Sequence, residues 1–153
     1  MLFRSRGEFV EAILAALAGC RAELTLADRD FSDWPLESPQ GVELLARVAA
    51  APHARIRVLV ADPDWLERRA PRFVALRRRH AAAIQCRRIP PALANGEGVL
   101  IADRLHLVRR ARATLFRGRL SLADPAAAEP MAVRYDALWD ESEPCLPAAP
   151  LGL

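Results

Sequence analysis

Residues 95–120, NGEGVLIADRLHLVRRARATLFRGRL, read as three consecutive strands in the most basic part of the chain, and the remainder must fold around them. Val99-Leu100-Ile101-Ala102 is an apolar run stopped by Asp103-Arg104. Leu105 to Arg110 then alternates, with Leu105 and Leu107 on one face and His106 and Val108 on the other. A two-residue link between such runs is hairpin spacing, although Asp-Arg lacks the glycine that favours the tightest turns. After Ala111-Arg112 a third run places Thr114, Phe116, Gly118 and Leu120 on one face and Leu115, Arg117 and Arg119 on the other.

Upstream, helices and strands alternate. Ser5-Arg6-Gly7-Glu8 fits a capping box ahead of a helix that buries Phe9, Ile13, Ala16 and Leu17 and stops at Gly19. Glu23 to Ala27 is a short strand with Leu24 and Leu26 inward. A polar loop over 28–38 comes next and carries Phe31, Trp34 and Leu36, which either plug the end of the sheet or form a contact surface. Ser38-Pro39 opens a second helix in N-cap and N1 order, with Val42, Leu45, Val48 and Ala49 as its buried stripe. Residues 54–61 form the clearest strand, alternating at first and then continuously apolar. Asp62-Pro63 repeats the N-cap and N1 order, and Pro71 divides the next segment into helices over 63–69 and 71–80. Arg77-Arg78-Arg79-His80 reads as a solvated helix end.

Residues 84–89 make a further strand. Pro125 and Pro130 bracket an alanine-rich segment, and Met131, Tyr135, Leu138 and Trp139 mark a last amphipathic helix. The order predicts an α/β fold: a mixed sheet flanked by helices, with parallel pairing through right-handed crossovers and antiparallel pairing in the late hairpins.

The 153 residues suffice for one domain. Residues 1–143 are expected to form a single α/β lobe, and 144–153, with three prolines and no pattern, a tail. No apolar run approaches the roughly 18 residues of a membrane span. The N-terminal stretch lacks a signal-peptide core, and Cys20, Cys86 and Cys145 are not at metal-ligand spacing. A cytoplasmic chain with reduced thiols is expected, without metal or cofactor. All 22 basic residues are arginine. Compositional bias accounts for that, while the sharper reading is phosphate recognition by guanidinium forks.

Ala27-Asp28, Phe31-Ser32-Asp33-Trp34-Pro35-Leu36, Arg57 to Val60, Leu100 to Asp103 and Leu138 to Ser142 occur in this order and spacing over nearly the whole chain. The set resembles one lobe of the phospholipase D-like superfamily. That resemblance implies a His-x-Lys-x4-Asp site, in which the histidine attacks phosphorus and the lysine holds phosphate oxygens. It also implies pairing of two lobes. Asp103 fits the motif's aspartate, and counting back places Gly96 at the histidine position and Gly98 at the lysine position. A residue without a side chain cannot serve as a nucleophile. No catalytic residue is therefore assigned, and His53, His80 and His106 read as structural or surface residues.

Two classes of function remain. One is a non-catalytic lobe that binds a phosphate-bearing or other anionic ligand, with Gly96, Gly98, Arg104, Arg109, Arg110 and Arg112 as candidate contacts. The other is a scaffold that docks a protein partner through the DFSDWPL loop, with Phe31, Trp34 and Leu36 as contacts. The resemblance adds a homodimer in which Gly96 to Arg110 of both subunits lie near the two-fold axis.

Overall fold

The computed structural model of the chain describes residues 1–112 and 114–147. In chain order its elements are β1 (Leu2–Phe3), α1 (Arg6–Gly19), β2 (Glu23–Asp28), α2 (Pro39–Ala49), β3 (Arg55–Val60), α3 (Asp64–Arg69), α4 (Pro71–Arg79), β4 (Ile84–Arg88), a 3-10 turn at Pro91–Leu93, β5 (Gly98–Ala102), β6 (His106–Arg110), β7 (Gly118–Ser121), α5 (Pro125–Asp140) and β8 (Glu143–Pro144). The strands form one mixed sheet in the order β1-β7-β6-β5-β2-β3-β4-β8. β2, β3 and β4 are parallel, and every other pairing is antiparallel. The expected α/β fold is therefore the one observed.

The two faces of the sheet are covered unequally. One carries α1, α2 and α4 over a core of Phe9, Ile13, Leu17, Leu24, Leu26, Leu45, Ile56, Val58, Phe73 and Leu100. The other carries α5 alone, packed through Ala128, Ala132, Tyr135 and Trp139 onto Ala27, Leu59, Val99, Ile101 and Leu107. All five residues of β5 are buried because both faces are covered there, which explains its unbroken apolar run.

Local sequence accounts for most helix ends. Ser5 Oγ accepts from the Glu8 N–H at 3.1 Å, and Glu8 Oε1 reaches back to the Arg4 N–H at 3.0 Å, one residue before the expected partner. Ser38 Oγ accepts from the Gly41 N–H, with Pro39 behind it. At α3 the expectation shifts. Pro63 flanks the helix, and Asp62 Oδ1 instead accepts from the Asp64 N–H at 3.0 Å, an Asx-type turn. α5 runs through Pro130 without a break, because its buried stripe from Ala128 to Trp139 continues across the proline.

Two strand expectations are corrected. The third basic run pairs only over Gly118–Ser121, and Thr114 to Arg117 precede it as loop. Leu105 does not share the inward face of Leu107; it is exposed in the hairpin turn. β1 and β8 close the two edges and carry too few residues to show periodicity. Pro144 belongs to β8 and Leu146 is buried, so the first residues of the expected tail are packed; 148–153 lie outside the described residues. No described helix is long and apolar enough to cross a membrane.

The β5–β6 turn forms without glycine. Asp103 and Arg104 both have positive φ, 55° and 56°, and the Leu105 N–H donates to the Ala102 carbonyl at 2.9 Å. Asp103 secures that backbone through long-range contacts, not by bonding its own turn. Its carboxylate accepts from the N–H groups of Arg21, Ala22 and Glu23 at 2.7, 3.1 and 3.0 Å. Burial pushes the Asp103 carboxyl up, but these backbone donors outweigh it and the net shift is downward from 3.8. A carboxylate depressed in the folded state stabilises fully above its unfolded value and loses that contribution as pH falls through the folded one. Asp103→Asn keeps a residue suited to positive φ. It should therefore lower the urea midpoint at pH 7, and the gap to the unsubstituted chain should shrink below about pH 4. A gap independent of pH would show that the carboxylate charge contributes nothing.

Candidate functional site

Ligands of open α/β sheets bind beyond the carboxyl ends of the parallel strands. Here that end is formed by Asp28, the last residue of β2, with the start of β5 and the end of β6 beside it. Continuing the β2–β5 register beyond Ala27↔Val99 sets Asp28 against Gly98, and Gly98 pairs with Arg110. Because Gly98 has no side chain, Asp28 and Arg110 meet across its strand. Arg110 Nη2 donates to Asp28 Oδ1 at 3.1 Å, and both side chains are about 1% exposed. A Cβ on residue 98 would lie 2.9 Å from Asp28 Oδ1 and 3.3 Å from Arg110 Nε.

The rest of the site is built around this pair. Asp28 Oδ2 accepts from the N–H groups of Asp30 and Phe31 at 3.2 and 2.9 Å, and this holds Phe31 at φ 64°. The Arg110 guanidinium sits 4.4 Å from the Phe9 ring centroid and 5.4 Å from that of Phe116, with Asp33 Oδ2 3.5 Å from Nη1. Phe31, Trp34 and Leu36 are all buried. Trp34 packs edge-on against Phe31 at 4.9 Å and against Phe9 at 5.6 Å. These three side chains plug the end of the sheet and are not available as an exposed contact surface.

The six candidate anion contacts do not converge. Gly98 and Arg110 are adjacent, and Gly96, at φ 73°, precedes them with open space around its α-carbon. Arg110 is buried and paired with Asp28, so it is not free to meet an anion from solvent. Arg104 lies at the opposite end of β6, roughly 20 Å away along the strand. It is taken up by Glu129 through two bonds of 2.9 Å and by Asp136 at 3.0 Å, which together raise its pKa. Arg109 points to the α5 face, where its guanidinium pairs with Glu97. Arg112 is exposed on the loop after β6. Of the histidines, His106 accepts from the Ala123 N–H at 2.9 Å and lies beside Gly19.

Two groupings escape a reading by sequence. Glu97 is nearly buried and also receives Arg134 Nη2 at 2.8 Å, Tyr135 Oη at 2.9 Å and Asn95 Nδ2 at 3.2 Å. Burial pushes its carboxyl up, but the bonds from Arg109 and Tyr135 and the nearby charges hold it below the ordinary value. The second is an open groove of about 880 Å³ beside α5, where the lone helix leaves β6, β7 and β1 uncovered. Arg4, Arg109, Arg117 and Arg119 line it above Leu2 and Met131. Among the described residues no carboxylate pairs with Arg4, Arg117 or Arg119. Alternation in the sequence does place Arg117, just before β7, and Arg119, within it, on one face, but nothing local reveals that Arg4 joins them.

A family model described as "Domain of unknown function (DUF7931)" matches residues 5–148. The chain belongs to this family. No match was found among curated proteins. Among solved structures, the phospholipase D family member Nuc from Salmonella typhimurium superposes with a TM-score of 0.65 at 11% identity, over 87% of this chain and 88% of that one. NucT from Helicobacter pylori gives 0.61 at 8% identity, over 95% and 98%. TrmBL2, an archaeal chromatin protein whose structure shows a mode of DNA binding, gives 0.69 at 15% identity, over 95% of this chain and 53% of that one. The chain thus spans about half the length of TrmBL2. At these identities the likeness is one of fold, and the phospholipase D-like fold expected from the sequence is shown.

The buried pair makes a sharp prediction for this DUF7931 lobe. Removing one member leaves an uncompensated buried charge, so Arg110→Met or Asp28→Leu alone should each cost about 3–5 kcal/mol. The double variant should recover much of that loss in chemical denaturation. Additive losses would mean that the two side chains are not energetically coupled.

Proposed function

We propose that the protein is a non-catalytic phospholipase D-like lobe that binds a phosphate-bearing or other anionic ligand. The observation that carries this reading is the contrast between its arginines. Arg110 closes the motif position at Gly98 as the buried partner of Asp28, whereas Arg4, Arg117 and Arg119 stand around an open groove with no described carboxylate partner. Arg109 completes the groove while its charge is shared with Glu97. Guanidinium groups suit phosphate oxygens because they offer paired donors in a fixed plane. That a chromatin protein of the same fold binds DNA supports a polyanion as the ligand. Of the six candidates named from the sequence, Arg109 and Arg112 remain exposed enough to contribute, and Gly96 leaves room for an anion near its backbone. The scaffold reading loses its contact surface, because Phe31, Trp34 and Leu36 are buried.

A cytoplasmic homodimer completes the proposal. Phospholipase D-like lobes act in pairs, and the repulsion of Arg109 and Arg110 across a two-fold axis is relieved within each chain by Glu97 and Asp28. Light scattering behind a sizing column should find a dimer that tightens with phosphate. A monomer with and without phosphate would sink it.

Two measurements test the ligand reading. The purified chain should not hydrolyse bis-p-nitrophenyl phosphate. It should bind a labelled single-stranded oligonucleotide or polyphosphate with an affinity that falls steeply with salt, a log–log slope of roughly −2 to −4 for three or four contacts. Arg117→Ala with Arg119→Ala should lower that slope by roughly 1–2 without altering the fold. Binding insensitive to salt, or unchanged in the double variant, would overturn the groove as the site.

A further inference from the structure

The last strand brings two of the three cysteines together. β4 and β8 pair in antiparallel register with Arg87 opposite Pro144 and Arg88 opposite Glu143. One step further, that register sets Cys86 directly against Cys145, and the Cys145 N–H donates to the Cys86 carbonyl at 3.0 Å. Opposed residues of an antiparallel pair project to the same face. Cys86 belongs to the core beneath α2 and α4, and Cys145 packs against that same core. The two thiols are free. We propose that Cys86 and Cys145 are a site of reversible disulfide formation that staples the segment after α5 onto β4.

The backbone is already close to what the bond needs. A directly opposed, hydrogen-bonded pair has Cα atoms about 5.5 Å apart, inside the range of roughly 4.4–6.8 Å found for disulfides. Cβ atoms in such hydrogen-bonded pairs are about 5.5 Å apart, so they must approach by about 1–2 Å. β8 can supply that shift, because it is a two-residue strand with no neighbouring strand on its outer side among the described residues. The residual strain makes the bond easier to reduce, which suits a reversible staple better than a permanent one.

The surroundings divide the roles of the two sulfurs. Cys145 is half-buried immediately after the edge strand β8, whereas Cys86 is buried on β4. Burial raises both thiols, to about 11 for Cys145 and about 12 for Cys86, so both favour the protonated form while β8 is seated. Arg77, at the end of α4, opposes this at both positions. Its side chain is buried rather than solvated, and its Nε has no hydrogen-bond partner. It therefore supplies a positive charge for a thiolate formed between the strands.

With a low-molecular-weight disulfide such as oxidised glutathione as oxidant, the exchange balances in two steps. Opening of the edge strand exposes Cys145, whose thiolate attacks one sulfur of the oxidant. The oxidant's sulfur–sulfur bond breaks, and one glutathione leaves as thiolate and takes up the proton that Cys145 gave up. As β8 reseats, the Cys86 thiolate attacks Cys145 Sγ and the second glutathione leaves with the second proton. Two protein thiols are oxidised and one oxidised glutathione becomes two reduced molecules.

The test uses the full chain under native conditions with excess oxidised glutathione, followed by denaturation, alkylation and peptide mapping. The expected product is an intact monomeric chain, lighter by the two hydrogens lost, with Cys86 linked to Cys145 and Cys20 alkylated. Its melting temperature should exceed that of the reduced chain by roughly 5–10 °C, since the bond closes a long loop. Dithiothreitol should reverse both changes. Cys145→Ser should abolish the link and the thermal shift, and Cys20→Ala should preserve them. Three alkylated thiols, a persistent glutathione adduct on Cys145, or a link through Cys20 or between chains would each overturn the proposal.

Discussion

The ion pair between Asp28 and Arg110 holds the upper end of the sheet together. It spans three strands, because the strand between its members contributes only the glycine at 98. The Asp28 carboxylate turns the chain out of β2 by capping the N–H groups of residues 30 and 31, and this sets Phe31 in its left-handed conformation beside Trp34. The Arg110 guanidinium, in turn, forms one wall of the aromatic cluster of Phe9 and Phe116. Loop, cluster and strand order at this end therefore depend on one charged contact. Such a pair, taken from water at a high desolvation cost, is kept only where the surrounding geometry fixes both partners.

Charge is distributed by the same logic over the rest of the molecule. At the lower end, Arg104 is enclosed by Glu129, Asp136 and Glu23 and ties α5 to the sheet. On the α5 face, Glu97 gathers Arg109, Arg134 and Tyr135. Farther along the sheet, Arg57 and Arg87 lie over the Trp139 ring, with Arg87 also donating to the Trp139 carbonyl at 2.7 Å. An all-arginine basic set is therefore largely structural, and composition alone says little about binding. Where α5 fails to cover the sheet, Arg4, Arg109, Arg117 and Arg119 gather around one open groove.

Periodicity made the central architecture legible. The apolar runs of β2, β3 and β5 and the Ser-initiated helices α1 and α2 depend on local patterns, and they lie where those patterns place them. Edge strands β1 and β8 have two residues each, below the length at which alternation carries information. The β5–β6 hairpin was legible from its spacing, but the support of its glycine-free turn was not: the positive φ values are stabilised by backbone N–H groups some eighty residues earlier. The candidate site failed to read out in the same way. Arg104, Arg109 and Arg110 are near neighbours in sequence, yet pleat and strand length send them to one end, one face and the opposite interior. Gly98 drew attention in the sequence only through the resemblance to the superfamily motif. That the space beside it is filled by Asp28 and Arg110 was not legible, because both partners come from other strands.

That filled space constrains how the lobe can change. A lysine placed at residue 98 would enter space held by Arg110 and would compete with it for Asp28. Arg110 would then be left as a buried cation without its partner, among the rings of Phe9 and Phe116. Loss of Arg110 first would strand Asp28 instead. Each single step along the route passes through an unpaired charge in the interior, so the substitutions must occur together. A lysine at this position is thus opposed by folding energetics, whatever its chemistry would offer.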